Sequence, residues 1–139
     1  MSHTIAAVST GNQVSAIGII RLTGDGCAEV AGKVFTLNNG KPLQEAPNRK
    51  LMLGDLHDKE GRVIDSCCAL VSRGPRSYTG EDTVEIQCHG SPVMLRAALQ
   101  EIFALGARQA GPGEFTKRAY LNGRIDLLWG KCHFFEYHW

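Results

Sequence analysis

The chain has 139 residues, enough for one domain that buries roughly two-thirds of the surface its unfolded form would expose. Its 15 Lys and Arg against 14 Asp and Glu give a formal net charge of +1, so bulk charge excludes a broad nucleic-acid interface and any such contact must be local. Long apolar runs and a signal-peptide pattern are both missing from the sequence. We therefore expect a cytoplasmic protein with no membrane partner.

The cysteines indicate a reducing compartment. They are odd in number and form no Cys-x-x-Cys pair, which favours reduced, mostly buried thiols over disulfides or a zinc site. They stand at positions 27, 67, 68, 88 and 132. The cluster of Cys132, His133 and His138 lies at the chain end, where such a group is more often unstructured than a metal site, and no metal is predicted.

Two strands and a helix are predicted in the first third of the chain. Residues 4–9 and 16–22 have strand patterns, and the second strand places Arg21 near its end. Asp25 is predicted to cap a helix whose apolar stripe continues to Phe35 and which stops at residues 38–40. Asp25 belongs to a Gly-x-Gly segment, but Glu29 replaces the third glycine of the dinucleotide fingerprint, so a helix cap is the better interpretation.

The remaining elements alternate between strands and helices. Residues 50–57 and 62–72 predict a hairpin, with Gly61 in its turn. A strand at 83–88 is followed by a helix over 92–105, a short strand near 107–110, and a helix over 114–121 that stops at Asn122 and Gly123. The predicted fold is α/β of the α+β kind: a mixed, mainly antiparallel sheet with packed helices.

The strand at 83–88 carries the most informative pattern. Its apolar positions 84, 86 and 88 share one face, which leaves Thr83, Glu85 and Gln87 on the other face for solvent or a partner. Cys88 is therefore predicted to be core, and it points away from its neighbour His89. Ser91 and Pro92 then suit the N-cap and first position of a helix.

The one segment with P-loop spacing lacks the residues that nucleotide hydrolysis requires. Residues 106–111 have the glycine spacing, but Pro112 and Gly113 stand where Lys and Ser or Thr are required. What remains is charge at Arg21, Glu85 and Arg124. From spacing alone these are either three solvated surface residues or a binding site.

Four segments in order resemble the N-terminal domain of the tRNA-modification GTPases of the MnmE/TrmE family. They lie at residues 5–7, 17–21, 78–90 and 112–127, and include Glu-Ile-Gln-Cys-His-Gly at 85–90 and Leu-Asn-Gly-Arg at 121–124. The resemblance implies a domain over residues 1–127, akin to the folate-binding part of aminomethyltransferases, that forms a homodimer. It also implies a tetrahydrofolate derivative, 5-formyl or 5,10-methylene, as one-carbon donor for C5 modification of the tRNA wobble uridine.

The resemblance assigns cofactor-binding roles to Arg21, Glu85 and Arg124, and no catalytic residue. A carboxylate can accept from the adjacent ring N–H and amino group of a pterin, and guanidinium groups suit the carbonyls and glutamate tail of folate. The intact family protein works with the flavoprotein MnmG/GidA, touches tRNA indirectly, and uses GTP, Mg²⁺ and K⁺. This chain lacks the helical and G domains, so we expect no GTP hydrolysis and no activity from it alone.

Two parts of the chain depart from the family pattern. The loop at residues 11–15 is not rich in Gly and Pro. Residues 128–139 form an aromatic tail unlike an evolved domain surface, as expected for a frameshifted or truncated end, and a genuine docking segment is the alternative. Two alternative functions stay open. One is a free-standing folate-dependent aminomethyl transferase, and the other is a structural dimerisation fragment with an empty pocket.

Overall fold

The computed structural model describes residues 3–8 and 15–123. They form a seven-stranded sheet with α-helices packed on it, which confirms the predicted fold class. The strands are β1 (Ile5–Val8), β2 (Ser15–Thr23), β3 (Phe35–Leu37), β4 (Leu51–His57), β5 (Val63–Ser72), β6 (Thr83–Gly90) and β7 (Arg108–Gln109). The helices are α1 (Cys27–Gly32), α2 (Pro92–Ala104) and α3 (Glu114–Leu121), with a 3-10 turn at Leu43–Glu45.

The strand order in the sheet is β3-β4-β5-β6-β2-β1-β7. Neighbouring strands are antiparallel except β1 and β7, which are parallel. The β4–β5 hairpin is confirmed, and Gly61 in its turn has φ 83°, a conformation that glycine adopts without steric cost. β2 thus lies between β1 and β6, so residues far apart in the sequence face each other across these strands.

The main core fills the space between the sheet and the helices α1 and α2. Strand residues at alternate positions, among them Ile20, Val84 and Ile86, are fully buried against Leu95 and Ile102 of α2. Each such side chain contributes roughly 1.5–3 kcal/mol through burial. This packing fixes which side chains of β2 and β6 point into the core, and the alternating positions must point to the other face of the sheet.

Among the described residues, that other face of the sheet is covered at one side only. A smaller cluster of Ile5, Ala7, Ala110 and Phe115, with half-buried Tyr78 against it, holds α3 to β1. The remaining area, called here the open sheet face, is formed by residues that alternate with core positions of β2, β4, β5 and β6. It comprises Ile17, Ile19, Arg21, Leu51, Leu53, Cys68, Leu70, Glu85 and Gln87. Ile17 and Leu53 of this face are 56% and 63% exposed.

The prediction of a helix from Asp25 to beyond Phe35 is wrong in two respects. The N-cap is Gly26, whose left-handed φ of 80° favours glycine, and no side chain caps the helix. The helix ends at Gly32, and Phe35 begins β3 opposite Leu56 of β4. Strand pairing buries Phe35 completely, so its apolar spacing is satisfied by the sheet and not by a helix.

The two later helices agree with the sequence. The helix predicted at 92–105 is observed as α2, and the one predicted at 114–121 is observed with those bounds. Ser91 occupies the N-cap position of α2 as expected, but its hydroxyl makes no capping hydrogen bond.

Within the residues described, no helix has the length and apolar character needed to cross a membrane.

Candidate functional site

The structure brings two of the three predicted site residues together on the open sheet face. Register places Arg21 of β2 directly opposite Glu85 of β6, and Arg21 Nη2 forms an ion pair with Glu85 Oε2 at 2.9 Å. The two side chains are 16% and 26% exposed, so the pair is partly buried. An ion pair in this setting is held more rigidly than the solvated surface pair that spacing alone would allow.

The second carboxylate oxygen of Glu85 is available for a ligand. Oε1 makes no hydrogen bond with any other described residue. Apolar and polar residues neighbour Glu85 on this face. Leu70 of β5 lies opposite Glu85, and Ile19 of β2 lies opposite Gln87, which follows Glu85 by two residues on β6. Glu85 therefore offers one acceptor, already charged and oriented, at the edge of a mostly apolar surface.

A shallow cavity of about 210 Å³ lies further along β6 from Glu85. It is lined by Ile17, Ser66, Cys67, Cys68, Gln87, Cys88 and His89. His89 is fixed at its rim, because Asp65 Oδ1 lies 2.8 Å from the ring Nδ1 and Asp65 Oδ2 accepts from the main-chain N–H of His89 at 2.9 Å. This pair was not predicted from the sequence, since Asp65 and His89 lie on different strands and no local pattern connects them.

The thiols near this cavity are structural. Cys88 is 4% exposed, as predicted for a core residue, and burial raises its pKa to about 11. Burial also raises the pKa of Cys67 to about 12. Both groups stay protonated at neutral pH, and the cysteines at 27, 67, 68 and 88 are free thiols.

The loop at residues 77–82, which overlaps the segment at 78–90 that resembles the family, fastens α3 to the sheet. Glu81 Oε1 accepts from Thr23 Oγ1 at 3.2 Å and from Arg118 Nη1 of α3 at 3.2 Å, and the Arg118 and Glu81 side chains are 12% and 11% exposed. Asn122, at the end of α3, donates to the carbonyl of Thr79 at 2.9 Å. No local sequence pattern predicts these roles of Glu81 and Arg118, because their partners are distant in the chain.

Glu114 stabilises the start of the same helix. It accepts from Arg108 Nη2 at 2.6 Å and from the main-chain N–H of Gly111 at 2.8 Å. The hydrogen bond from Arg108 is the largest cause that lowers the pKa of the Glu114 carboxyl to about 2. Since the carboxylate is charged at neutral pH and lies in the first turn of α3, it also interacts favourably with the positive end of the helix dipole.

Arg124, the third predicted site residue, lies outside the described residues, which end one position earlier at Gly123. The loop at 11–14 and the Cys132, His133 and His138 cluster also lie outside the described ranges.

The chain matches the family model for the "GTP-binding protein TrmE N-terminus" over residues 4–124. It belongs to this family. A relative from Geobacillus kaustophilus, named tRNA modification GTPase MnmE, is 49% identical over 125 residues, which are 89% of this chain and 27% of the relative. A TrmE-family relative of the same name from Thermus thermophilus is 48% identical over 128 residues, which are 91% of this chain and 29% of the relative.

A third TrmE-family relative, from Symbiobacterium thermophilum, bears the same name and is 47% identical over 125 residues, 90% of this chain and 27% of its own length. The chain thus spans under a third of the length of these curated relatives. Residues 4–124 correspond to the N-terminal part of the TrmE family, and the names of the relatives connect that family with tRNA modification.

Proposed function

We propose that this chain is the folate-binding and dimerisation portion of a tRNA-modification GTPase. The observation that carries the proposal is the partly buried pair of Arg21 and Glu85 on the open sheet face. A reduced folate bound there supplies a one-carbon unit for C5 modification of the tRNA wobble uridine. The intact protein acts in the cytoplasm with the flavoprotein MnmG and uses GTP, while this chain alone is inactive.

The described residues suit a pterin ring. A pterin presents a ring N–H beside an amino group, and a carboxylate accepts such a fork of donors. Glu85 is charged, oriented by Arg21, and has Oε1 without a partner among the described residues. The apolar side chains of Ile19 and Leu70 flank it and can pack against the flat ring. Arg124 is proposed to complete the site by contacting the carbonyl groups or glutamate tail of folate.

Titration calorimetry with 5-formyl-tetrahydrofolate tests the site. Glu85→Gln replaces an acceptor with an amide donor, and we expect a loss of about 1–3 kcal/mol, or roughly 5–150-fold in Kd. Arg21→Lys keeps the charge and loses only the planar fork, so its loss should be smaller. Glu101→Gln on α2, behind the sheet, is the matched control and should bind as wild type.

Two results would count against folate binding at this site. Equal affinity of wild type and Glu85→Gln would place Glu85 outside it. The absence of both binding heat and a thermal shift at millimolar folate would remove the cofactor from the proposal, because a ligand that binds only the native state must raise the melting temperature. Such an empty pocket would favour the structural dimerisation fragment, whereas turnover of methylene-tetrahydrofolate by this chain alone would favour the free-standing transferase.

We propose the open sheet face as the contact between two copies. Ile17, Leu51 and Leu53 are 56%, 48% and 63% exposed on it, and pairing about a two-fold axis would remove this apolar surface from water. Leu53→Asp should give a monomer in light scattering. Val93→Asp on α2, where Val93 is 73% exposed behind the sheet, should leave the dimer intact.

Truncation after residue 127 tests the proposed domain boundary and should also leave the dimer intact. A dimer for the full chain and a monomer for the truncated one would show that the aromatic tail, and not the sheet face, holds the chains together.

A further inference from the structure

Two basic segments lie against each other at the end of the sheet where β4 begins and β5 ends. The N–H of Arg49 donates to the carbonyl of Val71 at 2.7 Å, and the N–H of Arg73 donates to Asn48 Oδ1 at 2.7 Å. Residues 41–50 and 71–76 together contain five basic side chains and one acidic side chain. We call them the basic loop surface, formed by Lys41, Arg49, Lys50, Arg73 and Arg76.

The arginines of this surface are oriented without being neutralised. Arg49 Nη2 donates to the carbonyl of Arg76 at 2.9 Å, and Arg73 Nη2 donates to the carbonyl of Gln44 at 2.5 Å. In the described part of the chain no carboxylate lies within ion-pair distance of either guanidinium or of Arg76. Of the other described arginines, Arg96 has no carboxylate within ion-pair distance, whereas four are paired with one: Arg21, Arg62, Arg108 and Arg118.

The positive charge is therefore local and directed outward. The rest of the chain carries ten basic and thirteen acidic side chains, so it is net negative while this small region is strongly positive. Arg49, Lys50 and Arg76 are exposed and Arg73 is half-exposed. Guanidinium groups held in place this way match the oxygens of phosphate groups in two-point contacts.

We infer that the basic loop surface binds the phosphate backbone of RNA. This inference rests on the proposed function, in which a tRNA is the modified substrate. An anionic membrane fits less well, because binding at a lipid interface needs exposed apolar side chains. The large apolar side chains of the two segments are buried, Leu43 to 0% exposure and Val71 to 1%. The phosphates along one RNA strand offer a row of anions that loop cations can contact without such insertion.

The test variant is Lys50→Gln/Arg76→Gln, because these two side chains make no hydrogen bond with the described residues and their replacement should not disturb the fold. Lys59→Gln/Arg96→Gln is the matched control, with the same change in charge at exposed positions outside the surface. Binding of each 139-residue chain to a labelled, unmodified tRNA is followed by fluorescence anisotropy across a series of salt concentrations.

We expect wild type and control to bind tRNA alike, and the test variant to bind roughly tenfold more weakly at low salt. The slope of log K against log salt should fall by about 1.5–2, as expected when two phosphate contacts are lost. The inference is overturned if wild type does not bind tRNA at low salt, if the test variant binds as wild type does, or if the control loses as much affinity as the test variant.

Sedimentation with vesicles that contain anionic phospholipid distinguishes an anionic membrane from RNA as the ligand. If wild type sediments with these vesicles and binds tRNA no better than the test variant Lys50→Gln/Arg76→Gln does, the surface belongs to a membrane and the RNA assignment fails. Titration with 5-formyl-tetrahydrofolate on the same samples tests the proposed function by itself. Folate binding without tRNA binding would refute the basic loop surface alone, whereas tRNA binding without folate binding would support the surface and refute the folate site.

Discussion

Replacing Phe115 with alanine tests how much the small cluster behind α3 contributes to stability. Phe115 is fully buried and packs with Ile5, Ala7 and Ala110, in contact with the half-buried ring of Tyr78. Truncating a buried Phe to Ala costs about 3–5 kcal/mol, from lost burial and from the cavity that remains. Since a domain of this kind has about 5–15 kcal/mol of unfolding free energy in total, the variant should remain folded but lose a large part of it.

Urea unfolding followed by far-ultraviolet circular dichroism measures the effect. With a slope of about 1–3 kcal/mol per molar urea, a loss of this size lowers the midpoint by more than about 1 M. Heating should show a melting temperature lower by roughly 10–20 °C. Leu121→Ala is the control on the same helix, because Leu121 is 67% exposed and its truncation should change the unfolding free energy by no more than about 0.5 kcal/mol.

A loss below about 1 kcal/mol in Phe115→Ala, with an unchanged urea slope, would refute the reasoning. It would mean that α3 detaches from the sheet before global unfolding, so that the cluster is not part of the cooperative unit. The contacts of Glu81 with Arg118 and of Asn122 with the carbonyl of Thr79 would then be too weak to hold the helix by themselves.

Three further predictions follow from individual groups. Arg108 lowers the pKa of Glu114 from 4.5 to about 2, so the stability that Glu114 contributes is present above pH 4.5 and is lost as the pH falls toward 2. In urea unfolding at pH 6, Glu114→Gln should therefore be less stable than wild type. The difference in unfolding free energy should shrink as the pH falls from 4.5 to 2. Gly24→Ala should lower the melting temperature more than Gly61→Ala does. Both glycines have positive φ, but a Cβ at Gly24 would lie 2.7 Å from a main-chain oxygen, whereas a Cβ at Gly61 would meet no atom within 4 Å. Equal decreases in melting temperature would show that φ alone decides the loss of stability. Burial raises the pKa of Cys27 to about 12, so only about 1 in 10⁴ of these thiols is ionised at pH 8, and iodoacetamide should label Cys27 far more slowly in the native chain than in urea, as read by peptide mass spectrometry.

Local patterns predicted the elements that are decided locally. The turn with Gly61 fixed the β4–β5 hairpin, and the alternation along β6 correctly separated Glu85 and Gln87 from buried Val84 and Ile86. Glycine and proline signals around α3 gave its bounds without error. In each case the deciding interactions lie within a few residues of one another.

Predictions failed where distant residues decide. The spacing that ends with Phe35 fits a helix, but pairing with Leu56 makes this position a strand, because burial in the sheet outweighs a weak local preference. The pairing of Arg21 with Glu85 depends on the order and register of β2 and β6, which no local pattern contains. Motifs thus marked both residues, and only the sheet brought them within 2.9 Å.

The strands at the two borders of the sheet are short, with three residues in β3 and two in β7. A border strand of this length presents few backbone donors and acceptors to an incoming chain, so growth into filaments by strand addition is disfavoured. The protein can therefore carry a broad apolar surface on one side of its sheet without a matching tendency to polymerise. Any association through that surface is expected to close after two copies, because a two-fold pair uses up the same patch on both.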